Sequence, residues 1–385
     1  MGKLDAVQPT YDLGGLKEPS GDELAKMQAS DYILHARDGQ LTKIPAQKST
    51  LPYDPFGHTQ RVEIARAPDG AIYVNQTTVM SKSIDGGLTW QGYETCDRQN
   101  VRDGQLVSYD MVSPIQILSD GTFVGTRSQD KTPGQVEILV SRDEWRTREP
   151  VAEVGNPSGC PERFANTLCR LEDDTLLLPI ESRYHWHRDP TYVHRSTDGG
   201  RTWSGPEGMD CGQTFLGGFC YENMIAPMAS GKLLAVIRYH GPLMECWPVV
   251  NPKKVPQYKT VFLADSEDGG LTWHNLRPLT NVHGMCHGFG VGLSDGTAVV
   301  SHDHRYPPGT PSGKARVSRD EGATWEDEVY YLYHNSAQSG FSQSVVLDDD
   351  VILTVGAHSD CQEGITDYDA WTGRTTLTAI RWKLK

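Results

Sequence analysis

Long apolar runs are missing from this sequence. No stretch approaches the ~18 consecutive apolar residues of a membrane-crossing helix, so no membrane partner is predicted. The opening "MGKLDAVQPTYDLGG" also lacks the apolar core of a secretory signal, which leaves a cytoplasmic protein or a secreted one whose leader has been removed. Positive charge is in deficit: 36 Lys and Arg stand against 50 Asp and Glu, for a net charge of −14. Nucleic acid is therefore not the expected partner, because duplex binding relies on Lys and Arg neutralising phosphates. A small anionic ligand stays compatible, since a basic pocket can sit inside an acidic shell. Cysteine is sparse: Cys96, Cys160, Cys169, Cys211, Cys220, Cys246, Cys286 and Cys361 form no CxxC pair and match no zinc spacing. Reduced, buried thiols are the plain reading.

What is abundant points to β-structure. The 39 glycines, 23 prolines, 16 tyrosines and 9 tryptophans suit a turn-rich all-β chain with aromatic wedges between layers. An octapeptide recurs: "SIDGGLTW" (83–90), "STDGGRTW" (196–203), "SEDGGLTW" (266–273) and "SRDEGATW" (318–325). Six hairpin signals accompany it: "APDGAIYV" (67–74), "LSDGTFVG" (118–125), "LEDDTLLLP" (171–179), "ASGKLLAV" (229–236), "LSDGTAVV" (293–300) and "LDDDVILTV" (347–355). Turns of the Asp-Gly type between apolar alternations mark hairpins because glycine accepts the positive φ they need. Their spacing of about 50 to 65 residues, with two more β-rich runs after each, predicts a six-bladed β-propeller of four-stranded antiparallel blades. The octapeptide falls after the third strand. Blade two carries a decayed copy, "SRDEWRTRE" (141–149), and blade six has only "WTGRTTLTAIRW" (371–382). One domain is expected over 50–385, preceded by an extension, 1–49, in which 31–45 supplies a strand that closes the ring.

The octapeptide itself pairs no base with a nucleophile. Its Ser and Asp can bond their own turn, its Gly pair permits the tight conformation, and its Trp is placed to pack between blades. It is expected to stabilise the fold, with the chemistry elsewhere.

Counting back eight residues from each hairpin's turn residue gives one position per blade: Arg61, Val112, Ala165, Glu222, His287 and Phe341. An Arg, a Glu and a His in an apolar inner-strand register are costly unless paired or used. Further polar residues end the second strands: Arg127, Glu181 with Arg183, Arg238 with His240, Asp303 with Arg305, and His358. Arginines converging on a funnel suit a planar anion such as a carboxylate or sulfate.

The S-x-D-x-G-x-T-W pattern is the Asp-box, and over roughly 50–385 the chain resembles the sialidase (neuraminidase) superfamily of six-bladed propellers. The resemblance implies a carboxylate clamp of three arginines, matched by Arg61 in "HTQRVEIA", Arg238 in "YENMIAPMASGKLLAVIR" and Arg305 in "SHDHRYPPG". It also implies a blade-four glutamate, matched by Glu222. The family's tyrosine nucleophile is replaced here by Phe341, and its blade-one aspartate has only Asn75 and Gln76 nearby. A phenyl ring cannot attack an anomeric carbon.

Glycoside cleavage needs a proton donor and a nucleophile or activated water. Glu222 is the leading catalytic candidate, with Asp110, Asp303 or His287 as its partner and Tyr109 or Tyr221 as substitutes for the lost phenol. Arg183, His240 and Phe341 join the arginine clamp as substrate-binding candidates. Each has a plainer alternative: His287 as a structural histidine, Asp303 paired with Arg305, Arg183 paired with Glu181. No cofactor is expected, although the H-x-H pairs His185/His187 and His302/His304 are possible metal ligands. The sequence therefore predicts an exo-acting glycoside hydrolase that takes an acidic oligosaccharide or glycoconjugate. The alternatives are a uronate lyase using His287 or a tyrosine, or a sugar-binding propeller without turnover.

Overall fold

The computed structural model describes residues 17–54, 62–96, 101–102, 105–106, 114–128, 135–155, 163–165, 167–182, 191–208, 219–240, 259–279, 285–304, 312–334, 342–359 and 375–385. It is a six-bladed β-propeller of antiparallel blades. Blade one is built from Glu63–Arg66, Ile72–Asn75, Val79–Ser83 and Gln91–Glu94. Blade two comprises Ile115–Ile117, Phe123–Ser128, Gln135–Ser141 and Glu149–Gly155. In blade three the inner strand comes in two pieces, Arg163–Ala165 and Cys169–Arg170, before Leu176–Ser182, Tyr192–Ser196 and Ser204–Gly208. Blade four holds Phe219–Pro227, Leu233–His240, Lys259–Ser266 and His274–Pro278. Blade five holds Met285–Gly292, Ala298–His304, Ser312–Ser318 and Glu328–His334. Gln343–Val346, Ile352–Ser359 and Thr375–Trp382 form most of blade six.

Blade six takes its outer strand from far earlier in the chain. Gln47–Thr50 pairs antiparallel with Thr375–Trp382, Thr50 opposite Thr378. This corrects the expectation that 31–45 closes the ring. That segment instead folds into its own hairpin, Tyr32–Arg37 with Gln40–Pro45, turning at Asp38 and Gly39, both with positive φ. It lies along the outer edge of blade five, where Tyr32–Arg37 pairs with Glu328–His334. The reason is apolar cover: Tyr330, Tyr331, Leu332 and Tyr333 are fully buried in that outer strand, and Ile33, Leu34 and Ala36 face the same core cluster. Helix Gly21–Gln28, opened by a Ser20–Glu23 capping box, adds Leu24 and Met27 to it.

Among the described residues, six apolar clusters fill the six seams between blades, and each cluster includes one tryptophan. Trp90, Trp203, Trp273 and Trp325 come from the octapeptides, so the expectation that these residues wedge between blades holds. Trp382 serves the seam of blades five and six. Trp145 serves that of blades one and two, and it stands where the other boxes have their second glycine, at φ 70.

The box geometry explains the motif. In the first copy the Ser83 hydroxyl donates to Asp85 (2.8 Å) and accepts from the Gly87 N–H (2.8 Å). The Asp85 carboxylate takes the Leu88 and Thr89 N–H groups and the Thr89 hydroxyl (2.6 Å). Blade two's copy keeps the same network through Ser141, Asp143 and Thr147, so its decay is confined to the glycines and the tryptophan. Polar clamps join neighbouring blades at this end: Ser119 N–H donates to Asp174, Ser230 N–H to Glu321 and Ser294 N–H to Asp350.

Gly87 packs its backbone on blade six: a Cβ there would lie 2.6 Å from Leu353 Cδ1, at φ +86. Gly231 has a similar φ, +89, and open space around it. Gly231→Ala should therefore cost about 1–2 kcal/mol for the left-handed backbone alone. Gly87→Ala should cost about 1–3 kcal/mol more for overpacking; equal urea midpoints for the two variants would refute the packing account.

The Thr89 hydroxyl, helped by the Thr89 and Leu88 amides and the Ser83 hydroxyl and opposed by burial, lowers the Asp85 carboxyl to about 2. A carboxyl lowered in the fold adds stability that is present above its unfolded value, near 4, and lost as pH falls toward 2. Asp85→Asn should flatten the fall in urea midpoint across that window compared with wild type.

Candidate functional site

The site is set by two irregularities in neighbouring inner strands. In blade four the ladder pairs Tyr221 with Arg238 and then Met224 with Val236, three residues against two. Blade five repeats this, with Cys286 opposite Asp303 and then Phe289 opposite Ser301. Each is a β-bulge, which inserts one residue and re-aims a side chain. The residues with left-handed backbone in the two bulges are Glu222 (φ 52) and His287 (φ 48). The region is uncommon for any non-glycine residue, though less so for His than for Glu, and each placement costs about 1–3 kcal/mol.

The residue after His287 brings the two bulges together. A Cβ on Gly288 would clash with Val236 Cγ1 of blade four, so only glycine lets the blade-five strand approach this closely. His287 Nε2 lies 2.9 Å from Glu222 Oε2, and His287 Nδ1 lies 3.2 Å from Asp303 Oδ1. Both ring nitrogens thus face carboxylate oxygens. Arg238 Nη1 lies against Glu222 Oε2 and His287 Nε2. Behind them, the Glu181 carboxylate of blade three accepts the main-chain N–H of Glu222. The Glu222 side chain is 11% exposed, while Glu181, Arg238, His287 and Asp303 are each 4% exposed or less.

Three carboxylates, one guanidinium and one imidazole therefore share a buried cluster across blades three to five. A charge-dense cluster of this kind is tolerated only when its members satisfy one another. Chemically, the Glu222–His287 contact can move a proton, Asp303 fixes the imidazole, and Arg238 offsets the carboxylate charge.

The sequence expectations divide clearly. Glu222, His287, Arg238 and Asp303 are brought together. Asp303 meets His287, while Arg305, its suggested partner, lies outside the described residues, as do Arg61, Tyr109, Asp110, Arg183 and Phe341. Tyr221 and His240 belong to the blade-four strands, opposite Arg238 and Phe219, but their side chains lie outside the description. Gln76 is structural: its amide donates to the Pro52 carbonyl and to the Ser81 hydroxyl. Arg127 pairs with Glu137 inside blade two.

The H-x-H pair at 302 and 304 does not form a metal site. Burial pushes His302 down to about 3, and its Nδ1 faces the Asp303 carbonyl. His304 Nδ1 lies 3.0 Å from the Lys314 ammonium nitrogen, a neighbour that disfavours a metal cation. His185 and His187 lie outside the described residues. Among the described residues no group of three or more His, Cys, Asp or Glu side chains is arranged to hold a metal ion.

Sequence reasoning undervalued Glu181, reading it as a strand-end residue facing Arg183. A signal existed: Glu181 lies eight residues past Asp173, as Arg238 lies eight past Ser230 and Asp303 eight past Asp295. Asn223, buried beside Glu222 and donating to the Thr191 hydroxyl, gave no such signal.

The profile of the BNR repeat-like domain matches residues 123–384. No curated protein sequence matches the chain. Among solved structures, a protein of unknown function from Dyadobacter fermentans DSM 18053 aligns with TM-score 0.60 at 14% identity, over 88% of this chain and 98% of the other. The α-L-arabinofuranosidase Arb93A from Fusarium graminearum, in complex with an iminosugar inhibitor, aligns with TM-score 0.57 at 16% identity, over 87% and 97%. The Hadza microbial sialidase Hz136 aligns with TM-score 0.57 at 15% identity, over 93% and 74%. At these identities the likeness is one of fold.

Removing the guanidinium should leave the Glu222 carboxylate buried without its cation. Arg238→Met is expected to destabilise by about 3–5 kcal/mol. Adding Glu222→Gln should recover much of that loss, and strictly additive losses in a urea double-mutant cycle would show that the two groups do not interact.

Proposed function

Because the chain belongs to the BNR repeat-like domain family and has a sialidase-like six-bladed propeller, we propose that it is an exo-acting glycoside hydrolase releasing a terminal carboxylate-bearing sugar. One observation supports this above the others: Glu222 and His287, each on a strained bulge of an inner strand, meet at 2.9 Å. Strained backbone at a buried acid–base contact is the kind of arrangement that persists when chemistry uses it.

In this reading Glu222 gives its proton to the leaving glycosidic oxygen, and His287, braced by Asp303, exchanges protons with it. Groups in direct contact act as one unit, whereas a glycosidase needs its second group about 5 Å or more away across the sugar. Asp110 or Tyr109, at the mouth of blade two in the sequence, supplies that side by activating water or attacking the anomeric carbon. Arg61, Arg238 and Arg305 hold the substrate carboxylate, with Arg183, Tyr221, His240 and Phe341 around the ring. A bound carboxylate competes with Glu222 for Arg238, which turns Glu222 toward the glycosidic oxygen.

The same contact favours a second reading, β-elimination on a uronic acid. There His287 takes the proton next to the carboxylate, the C–O bond breaks as the double bond forms, and a tyrosine protonates the leaving oxygen. Wild-type protein should release dye from chromogenic sialosides or uronides without new near-ultraviolet absorbance. Glu222→Gln should lower kcat by roughly 10²–10⁴-fold with ligand binding retained. Appearance of an unsaturated, absorbing product establishes elimination instead. Ligand binding without turnover by wild type would reduce the protein to a sugar-binding propeller.

A further inference from the structure

Glu181 has no part in the chemistry above, yet its carboxylate is buried at 1% exposure beside the cluster. Burying a carboxylate is unfavourable unless hydrogen bonds replace its water. Its Oε2 accepts the Glu222 main-chain N–H, a donor that the bulge takes out of the regular strand ladder. Blade three thus reaches across the seam to the one peptide of blade four whose φ is left-handed at the site.

That bond has a geometric consequence. The direction of the Glu222 Cα–Cβ bond follows from the φ and ψ of its own residue, and the Glu181 acceptor fixes the orientation of that peptide. With the N–H held, the Glu222 carboxylate projects toward His287 Nε2 and Arg238 Nη1. A non-glycine residue intrinsically favours extended backbone over the left-handed region, so loss of that bond would re-aim the Glu222 side chain.

We propose that Glu181 is a positioning residue: acting through the Glu222 main chain, it holds the Glu222 carboxylate against His287 without touching the substrate. This rests on the proposed acid–base role of Glu222, and its test has a readout that survives if that role is wrong.

Glu181→Met keeps the volume and removes the acceptor, Glu181→Gln keeps an acceptor oxygen, and Glu181→Asp withdraws it by one methylene. The Met variant should lose roughly 100-fold in kcat, the effect of a misplacement of about 1 Å, with KM little changed. The Gln variant should recover most of the rate, and Asp should fall between. In parallel, the His287 ring resonances and titration midpoint, read by NMR, should move in the Met variant and return in the Gln variant. Among the described residues, Glu222, Asp303 and Arg238 are charged groups facing that ring, and the Met change displaces the first of them. A folded Met variant with wild-type kcat and an unmoved His287 spectrum overturns the proposal, as does an equal loss in Met and Gln. If Met does not fold, an unmoved His287 spectrum in Asp overturns it. If wild type turns over no glycan, the hydrolase reading fails while the His287 spectra still decide the role of Glu181.

Discussion

The close approach of the blade-four and blade-five inner strands is the constraint on which the site depends. Gly288 leaves no room for a side chain between His287 and Val236, so the bulge residues of two blades come into hydrogen-bonding contact. Any larger residue there would wedge the seam open and separate Glu222 from His287. The apolar seam below, with Met224, Val236, Val261 and Val300, holds the strands at that separation. The geometry of the cluster is thus tied to packing between blades, and only secondarily to the conformation of any one blade.

Two left-handed residues cost the folded state, and three buried carboxylates and a buried guanidinium are tolerated only through one another. They are concentrated at the end of the blades opposite the hairpins and Asp-boxes, where every turn is hydrogen-bonded to itself or to a neighbour. The molecule therefore divides its labour along the axis. One end is saturated with local polar contacts and tryptophan wedges, and the other keeps the strained, charged cluster.

How far this was legible in the sequence follows from the range of each interaction. The hairpins and boxes were readable because their hydrogen bonds span two to four residues, as from Asp85 to Thr89. Counting eight residues from each turn found Glu222 and His287 because a propeller repeats the same strand geometry. The left-handed bulges gave no signal, since a glutamate in a strand does not mark positive φ and a histidine does so only weakly. Blade two's box looked degraded, although Ser141, Asp143 and Thr147 preserve its bonds and Trp145 fills the seam from a different position. Glu181 was undervalued because it works on a main-chain N–H, which every residue but proline carries. The fate of 31–45 was misjudged because edge pairing between distant strands leaves no local mark, and the apolar cover required by Tyr330 to Tyr333 decided it.

The pairing of Thr50 with Thr378 carries a consequence for how the molecule is made. As the chain leaves the ribosome, the strip at 47–50 must wait without its partner while every other blade is synthesised. Until the last strands emerge, the nascent protein is an open arc with one raw edge at each end. Joining those edges is necessarily a late event, and a nascent arc stalled before it offers unpaired backbone to chaperones or to other arcs.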